Sequence, residues 1–281
     1  MNTITAESLR PCLRQRARDS HKGDYGHLLI VAGCQTMPGA AVLATGAALQ
    51  SGCGLVTLHS TSRALQAVVN SFPSAMLSEM PGDHFSDKKN DIDKYNAIAV
   101  GPGLGQAPET VIAFTELLNA AKQAGVPMVL DADALNIIAS YPELKALIPA
   151  GSVMTPHLGE LRRLVSWDSE DALTEVVKEL STETGCAVVV KGHGTRIFAP
   201  DGSCFVNTTG NPGMAKGGSG DVLTGLVGGL MARGYSAVDA ARLGVWVHGY
   251  AGDCLTAERT AEAYSSRDLI DWLWRGFAEL Y

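Results

Sequence analysis

One pattern recurs along most of this chain. A short, unbroken apolar run stops at a glycine, aspartate, histidine or lysine, and a helical segment follows. Residues 28–33 show it first, and 97–100 and 127–130 repeat it; Ser152-Val153-Met154-Thr155 is a further short strand, closed by Pro156 and followed by a helix, and 187–190 ends at Lys191 with strands after it. A run without polar alternation is apolar on both faces, as expected of an interior strand in a parallel sheet. Helices are expected at 40–50, 109–124, 158–165 and 169–183. A strand at 55–58 after the first of them completes a βαβ unit. Strands at 195–199 and 204–207 flank the Asp201-Gly202 turn. The remainder reads as helix over 221–232, 236–256 and 266–278. The expectation is an α/β fold, with a central, mainly parallel sheet and helices on both faces. No linker, repeat or low-complexity stretch divides the 281 residues, so 1–281 reads as a single domain. Residues 82–94, with Lys88-Lys89 among aspartates, read as a polar surface excursion.

Sheets of this kind bind ligands at the carboxyl ends of their strands. The chemistry-bearing residues of this chain fall there repeatedly: Gly33, Gly101 to Gly105, Asp131, Asp133, His157, Glu160, Lys191 to Thr195, and Gly210 to Asp221. The last stretch is the densest. Glycines crowd Gly210-Asn211-Pro212-Gly213-Met214-Ala215-Lys216-Gly217-Gly218-Ser219-Gly220-Asp221, and an apolar helical run follows at once. Glycine lets backbone approach a ligand closely. Unpaired N–H groups at a helix start, backed by the helix dipole, suit a phosphate or an oxyanion. Asp221 would then act as general base on a hydroxyl, its carboxylate kept ionised by the helix N-terminus. It also suits a plain helix cap.

The other stretches carry two readings each. Gly101-Pro102-Gly103-Leu104-Gly105 suits either a phosphate or ribose contact or an ordinary turn. Asp131, Asp133 and Asn136 suit Mg²⁺ through water or a ribose hydroxyl, and Asp133 equally suits a helix cap. His157 and Glu160 share one face of a starting helix and could reach a phosphate and a metal-bound water, or Glu160 is simply a first-turn acid. Lys191-Gly192-His193-Gly194-Thr195 could set a point charge on a phosphate while its backbone clasps a nucleotide, or it is a plain hairpin.

Composition narrows the partners. A net charge of −7 argues against nucleic acid. The apolar runs are too short and too interrupted by glycine to span a bilayer. The 6 cysteines are scattered singly, without metal spacing, and read as reduced, mostly buried thiols of a cytoplasmic protein. Residues and spacing alone therefore give an α/β enzyme that binds a phosphorylated nucleotide and activates a hydroxyl.

Taken in order, a set of motifs resembles the NAD(P)H-hydrate dehydratases of the ribokinase-like superfamily. They are His21-Lys22-Gly23-Asp24-Tyr25-Gly26, Met37-Pro38-Gly39-Ala40, the glycine loop at 101–105, Asp131-Ala132-Asp133-Ala134-Leu135-Asn136, Thr155-Pro156-His157, Val190-Lys191-Gly192 and the stretch at 210–221. The resemblance implies a ribokinase-like fold. It implies dehydration of the S epimer of NADHX or NADPHX to NADH or NADPH, coupled to conversion of ADP to AMP and phosphate, with ATP as donor in other members. It implies that Ala40, Gly103, His157 and Asp221 contact the hydrate, with Asp221 as the base. Lys191, Gly192, His193, Gly194, Thr195 and Gly220 would contact the nucleotide. Glu160 would meet Mg²⁺ through water or phosphate, and the protein would be a homo-oligomer, a tetramer. Two positions depart from the family: Leu158, where proline usually follows the histidine, and Lys216, where threonine is common. The expectation is a dehydratase segment with no epimerase segment ahead of it. The alternative is a small-molecule kinase of the same superfamily, such as a hydroxyethylthiazole or sugar kinase. Thr155-Pro156-His157 and Asn211-Pro212-Gly213-Met214-Ala215 favour the dehydratase.

Overall fold

The structure is a computed structural model that describes residues 1–87 and 91–281. Its strands are β1 (Asn2–Ile4), β2 (His27–Val31), β3 (Leu55–Ser60), β4 (Met76–Glu79), β5 (Ala97–Val100), β6 (Met128–Leu130), β7 (Val153–Met154), β8 (Ala187–Val190), β9 (Arg196–Phe198) and β10 (Cys204–Asn207). They form a single sheet in the order β1-β10-β9-β8-β7-β6-β5-β2-β3-β4. All neighbours are parallel except at β9, which runs antiparallel to both β8 and β10. The helices are α1 (Ala6–Leu9), α2 (Pro38–Gln50), α3 (Ser62–Ser71), α4 (Pro108–Ala124), α5 (Asp133–Ser140), α6 (Leu158–Leu164), α7 (Glu170–Thr184), α8 (Ser219–Ala232), α9 (Ala237–Glu258) and α10 (Ser266–Leu280).

The unbroken apolar runs have the expected cause. Leu28 and Ile30 of β2 join one core, with α2, α8, α9 and α10, while Leu29 and Val31 join the other, with α4 to α7. Each such side chain, fully withdrawn from water, is worth about 1.5–3 kcal/mol. The sheet is thus held from both faces, and its C-terminal edge is left to loops.

Two helices set the position of the site. The small residues of α2 let α8 approach it closely: a Cβ placed on Gly225 would lie 1.9 Å from the Ala44 carbonyl oxygen. At the far end of both helices, Arg233 donates to the Ser51 carbonyl at 3.0 Å and Arg16 to that of Gly52 at 2.5 Å. These cations sit at the negative ends of α2 and α8. The opposite end of α8, with Ser219, Gly220 and Asp221, opens on the C-terminal edge of the sheet.

Some expectations change. Strand β1 pairs in parallel with β10, and α3 with edge strand β4 fills 62–79, where the sequence suggested nothing regular. The 82–94 segment is not wholly a surface excursion. Phe85 is fully buried, and Ile92 is nearly so in the same core. The pair Lys88-Lys89 lies outside the described residues. All six cysteines are free, yet only Cys34 and Cys186 are buried; the others are half-buried.

Candidate active site

A cleft of about 810 Å³ opens where β6, β7, β8 and the start of α8 converge. His157, Glu160, Lys191, Gly192, His193, Gly194, Thr195, Gly220 and Asp221 all line it. Ala40 and Gly103 do not line it. They pack against each other instead: a Cβ on Gly103 would come within 2.8 Å of the Ala40 Cβ. Leu43, one turn further along α2, abuts Gly218, so this pair lies on the α2 side of the same glycine-rich turn.

The start of α8 is built to leave donors free. Gly218 is the N-cap, at φ 91, and no side chain caps the helix. The Ser219 N–H turns back to the Lys216 carbonyl, and the Val222 N–H to that of Gly218. Among the described residues, no acceptor meets the N–H groups of Gly220 and Asp221. Such groups form an anion site. The loop ahead of them is held from below. Asp253 accepts from the Gly210 N–H and from Asn211 Nδ2, while Lys216 donates to the carbonyls of Ala261 and Tyr264, both at 2.6 Å. Lys216, one of the two departures from the family pattern, is thus tied to the 261–264 loop.

Asp221 lies in the first turn of α8, so it does not cap the helix. Burial, then the charge of Asp131, pushes its carboxyl up to about 7; Lys191 pulls the other way, and Asp133 and Glu160 add to the rise. The expectation that the helix end keeps it ionised at neutrality is therefore corrected. Desolvation and neighbouring carboxylates outweigh the dipole. At neutral pH the group stands poised between its two forms, which suits a general base.

Beside it lies a buried ion cluster. Lys191 Nζ is 2.6 Å from Asp131 Oδ1 and 3.7 Å from Glu160 Oε2. Burial works against the Lys191 charge, but Asp131, Glu160 and Asp221 outweigh it and hold the ammonium protonated. Burial likewise opposes ionisation of Asp131, yet Lys191, Thr224 and Thr155 overcome it and hold the carboxyl below its ordinary range. Thr224 donates to Asp131 Oδ2 at 2.7 Å. Both oxygens of Asp131 are therefore occupied. Asp133 accepts from the Gly105 N–H at 2.8 Å and from Gln106 at 3.1 Å, so it braces the 101–105 loop rather than facing a ligand.

His157 and Glu160 form a capping box at the start of α6. Glu160 Oε2 accepts from the His157 N–H at 2.8 Å, and His157 Nδ1 accepts from the N–H groups of Gly159 and Glu160. Nδ1 as acceptor assigns the ring proton to Nε2. The residues 191–195 make the turn between antiparallel β8 and β9, closed by Thr195 Oγ1 donating to the Gly192 carbonyl at 2.9 Å.

Sequence reasoning missed Thr224 and His248. His248 lines the cleft, with Nε2 3.4 Å from Ser219 Oγ, and burial drives its ring down to about 4. A single histidine on the apolar helix α9 carries no signal. Thr224 did leave one: a hydroxyl one turn after Asp221, inside an otherwise apolar run.

Mg²⁺ fits this donor set in one way. Among the described residues, no three carboxylate, histidine or cysteine groups converge to hold an ion by themselves. The hard oxygen donors of Glu160 and Asp221 suit an ion that keeps water and phosphate oxygens in its shell.

Fold and cleft together define an enzyme of the ribokinase-like class. A family model described as NAD(P)H-hydrate dehydratase matches residues 28–275, and the chain belongs to that family. It is 39% identical over 248 residues to the ADP-dependent (S)-NAD(P)H-hydrate dehydratase of Neisseria meningitidis, covering 86% of this chain and 81% of that one. It is 37% identical over 283 residues to the bifunctional NAD(P)H-hydrate repair enzyme of Moorella thermoacetica, covering 96% of this chain and 52% of that one. The chain thus spans about half the length of the bifunctional relatives it matches. Among solved structures, the ADP/ATP-dependent NAD(P)H-hydrate dehydratase of Bacillus subtilis, co-crystallised with ATP and Mg²⁺, superposes with a TM-score of 0.85 at 30% identity, over 100% of this chain and 99% of that one.

Proposed function

We propose that this chain is a lyase that dehydrates the S epimer of NADHX or NADPHX, restoring NADH or NADPH while ADP becomes AMP and phosphate. The observation that supports this reading is the cleft itself. Residues from separate stretches of the chain meet there around one poised carboxyl and two unpaired N–H groups.

Hydroxide is a poor leaving group, and phosphate is a good one. Asp221, in its ionised form, takes the proton of the hydrate hydroxyl as that oxygen attacks the terminal phosphorus of ADP. The bond from that phosphorus to the bridging oxygen breaks, and AMP leaves. The carbon–oxygen bond of the new phosphate ester then breaks with loss of a proton, giving phosphate and the reduced nicotinamide. The N–H groups of Gly220 and Asp221 receive the charge that develops on the transferring phosphoryl oxygens. Lys191 supplies a positive charge beside them, and the turn from Gly192 through His193 and Gly194 to Thr195 holds the nucleotide by its backbone. His157 contacts the hydrate from the cleft, and Ala40 and Gly103, outside the lining of the cleft, would meet it from the α2 side of the glycine-rich turn. Mg²⁺ bound with the nucleotide neutralises phosphate charge, and Glu160 would hold it through water. The enzyme works as a cytoplasmic homotetramer, without a nucleic-acid or membrane partner; no helix among the described residues is long and apolar enough to cross a membrane.

The test is recovery of the reduced-nicotinamide absorbance from purified NADH hydrate, with Mg²⁺ and ADP, ATP or no nucleotide. Recovery with ADP is expected. Recovery with ATP alone would change the donor, and no recovery with either would favour the kinase reading.

A further inference from the structure

Two lysines line the cleft, among the carboxyl groups of Asp131, Glu160 and Asp221. The charge of Lys191 is taken up by Asp131 at 2.6 Å and by Glu160 at 3.7 Å. Lys216 differs. It is half-buried and forms no ion pair among the described residues. Its ammonium donates to the carbonyls of Ala261 and Tyr264, both at 2.6 Å, and lies 4.0 Å from the centre of the Tyr264 ring. These partners are themselves fixed. Tyr264 is buried, and its hydroxyl donates to Asn211 Oδ1 at 3.2 Å, an oxygen that also accepts from the Gly213 N–H and the Thr256 hydroxyl at 3.0 Å each. The Ser266 hydroxyl, at the start of α10, donates to the Gly217 carbonyl at 2.8 Å. The segment between α9 and α10 thus clamps the glycine-rich turn both before and after Lys216. Asp253, behind the turn, is occupied by the Gly210 N–H and by Asn211.

A tie between a turn and two carbonyls needs only neutral donors. An ammonium taken half out of water without a carboxylate carries a desolvation cost, which carbonyl dipoles and a ring face offset only in part. Its charge is therefore open to an anion, and its own turn supplies the place for one. The Lys216 carbonyl accepts the Ser219 N–H at 3.3 Å, and the next two N–H groups, of Gly220 and Asp221, have no acceptor among the described residues. Without Lys216, three carboxyl groups would line the cleft against one lysine, a poor setting for a chain of phosphates. We propose that Lys216 is a nucleotide-selecting residue: the 261–264 segment holds its charge at the foot of the glycine-rich turn, where it draws the phosphates of a nucleoside diphosphate onto the free N–H groups. This role rests on the nucleotide reading above, and it concerns binding rather than the chemical step.

The experiment measures the dissociation constants of ADP and of adenosine, its uncharged part, by ligand-observed NMR. EDTA is present, so no metal ion takes part, and the series is run at low and at high KCl. Parent protein, Lys216→Met and Lys216→Arg are compared. Methionine keeps an apolar stem against Tyr264 and removes the charge. Lys216→Met weakens ADP by about 5-fold at low salt, the upper end for a partly exposed charge pair, and leaves adenosine unchanged. High salt narrows the gap. Lys216→Arg, which retains the charge, stays close to the parent. A merely structural tie, once cut, would loosen the turn and weaken ADP and adenosine alike at every salt concentration. Equal ADP affinity in Lys216→Met, or an equal loss for adenosine, overturns the inference. If Lys216→Met does not fold, Lys216→Gln, which keeps N–H donors without the charge, is held to the same outcomes. A parent protein that binds no ADP overturns the nucleotide reading and this role together. A parent that binds ADP, with a variant that binds it equally well, overturns this role alone.

Discussion

Gly225→Ala tests whether the α2–α8 contact places the catalytic end of α8. In the native packing a Cβ at this position would lie 1.9 Å from the Ala44 carbonyl oxygen, 2.7 Å from its carbon and 2.9 Å from its Cα. All three are backbone atoms, so no rotamer can relieve the clash. An ordinary carbon–oxygen contact is about 3.3 Å, so the helices must part by about 1.4 Å. Overpacking of this kind costs about 3 kcal/mol, at the upper end of such substitutions. For a chain of this size that lowers Tm by roughly 5–10 °C. Alanine is otherwise the better helix former, by about 1 kcal/mol, so any loss is due to the clash. The displacement also moves Asp221, one turn nearer the cleft on the same rigid helix. A misplacement of about 1 Å can cost about 100-fold in rate. Differential scanning fluorimetry and the hydrate-recovery assay read the two effects separately. Gly225→Ala with unchanged Tm and unchanged kcat/KM would refute the claim that close helix approach positions the site.

Three further outcomes follow from the same structure. Asp221 is raised from 3.8 to about 7, so the folded state holds its proton longer and stability falls as pH rises across that window; Asp221→Asn should therefore melt higher than the parent above pH 7 and equally near pH 4, while losing turnover. His248 is depressed from 6.5 to about 4, so its neutral form stabilises the fold above 6.5 and that share is lost as pH falls toward 4; urea titrations of His248→Gln should show a flatter dependence in this range, by at most about 3 kcal/mol. Leu158 is 48% exposed at the first position of α6, and the preceding His157 sits at ψ 168; a proline fits there, and Leu158→Pro should raise stability by about 0.5–1 kcal/mol in thermal melts without moving the His157 capping box.

The parallel sheet was legible because interior strands bury both faces, which leaves apolar runs with no alternation. Leu28 to Val31 divide between two cores residue by residue, and that is what the run encodes. Strand β4 left no such mark. It is an edge, with Met76 and Leu77 both exposed, so burial imposes no pattern on it. Strand β1 is three residues long and gains its partner from Phe205 to Asn207, far along the chain. The glycine-rich turn, the 191–195 turn and the His157–Glu160 pair were legible because each is local in sequence. The cluster of Lys191, Asp131 and Thr224 was not. Its hydrogen bonds span 60 and 93 positions, and spacing along the chain says nothing about contacts that only the sheet creates. The ionisation of Asp221 was misjudged for the same reason: the helix end is local, whereas the burying groups and carboxylates are not.

The most direct test of the central claim is the fate of the phosphoryl group. Purified NADH hydrate, ADP and Mg²⁺ are incubated with the parent protein and with Asp221→Asn, and the products are followed together by ³¹P NMR and by nicotinamide absorbance. The account predicts AMP, phosphate and NADH appearing in equal amounts with the parent protein and none with the variant. A phosphorylated product that accumulates without NADH, or equal turnover in Asp221→Asn, would contradict it.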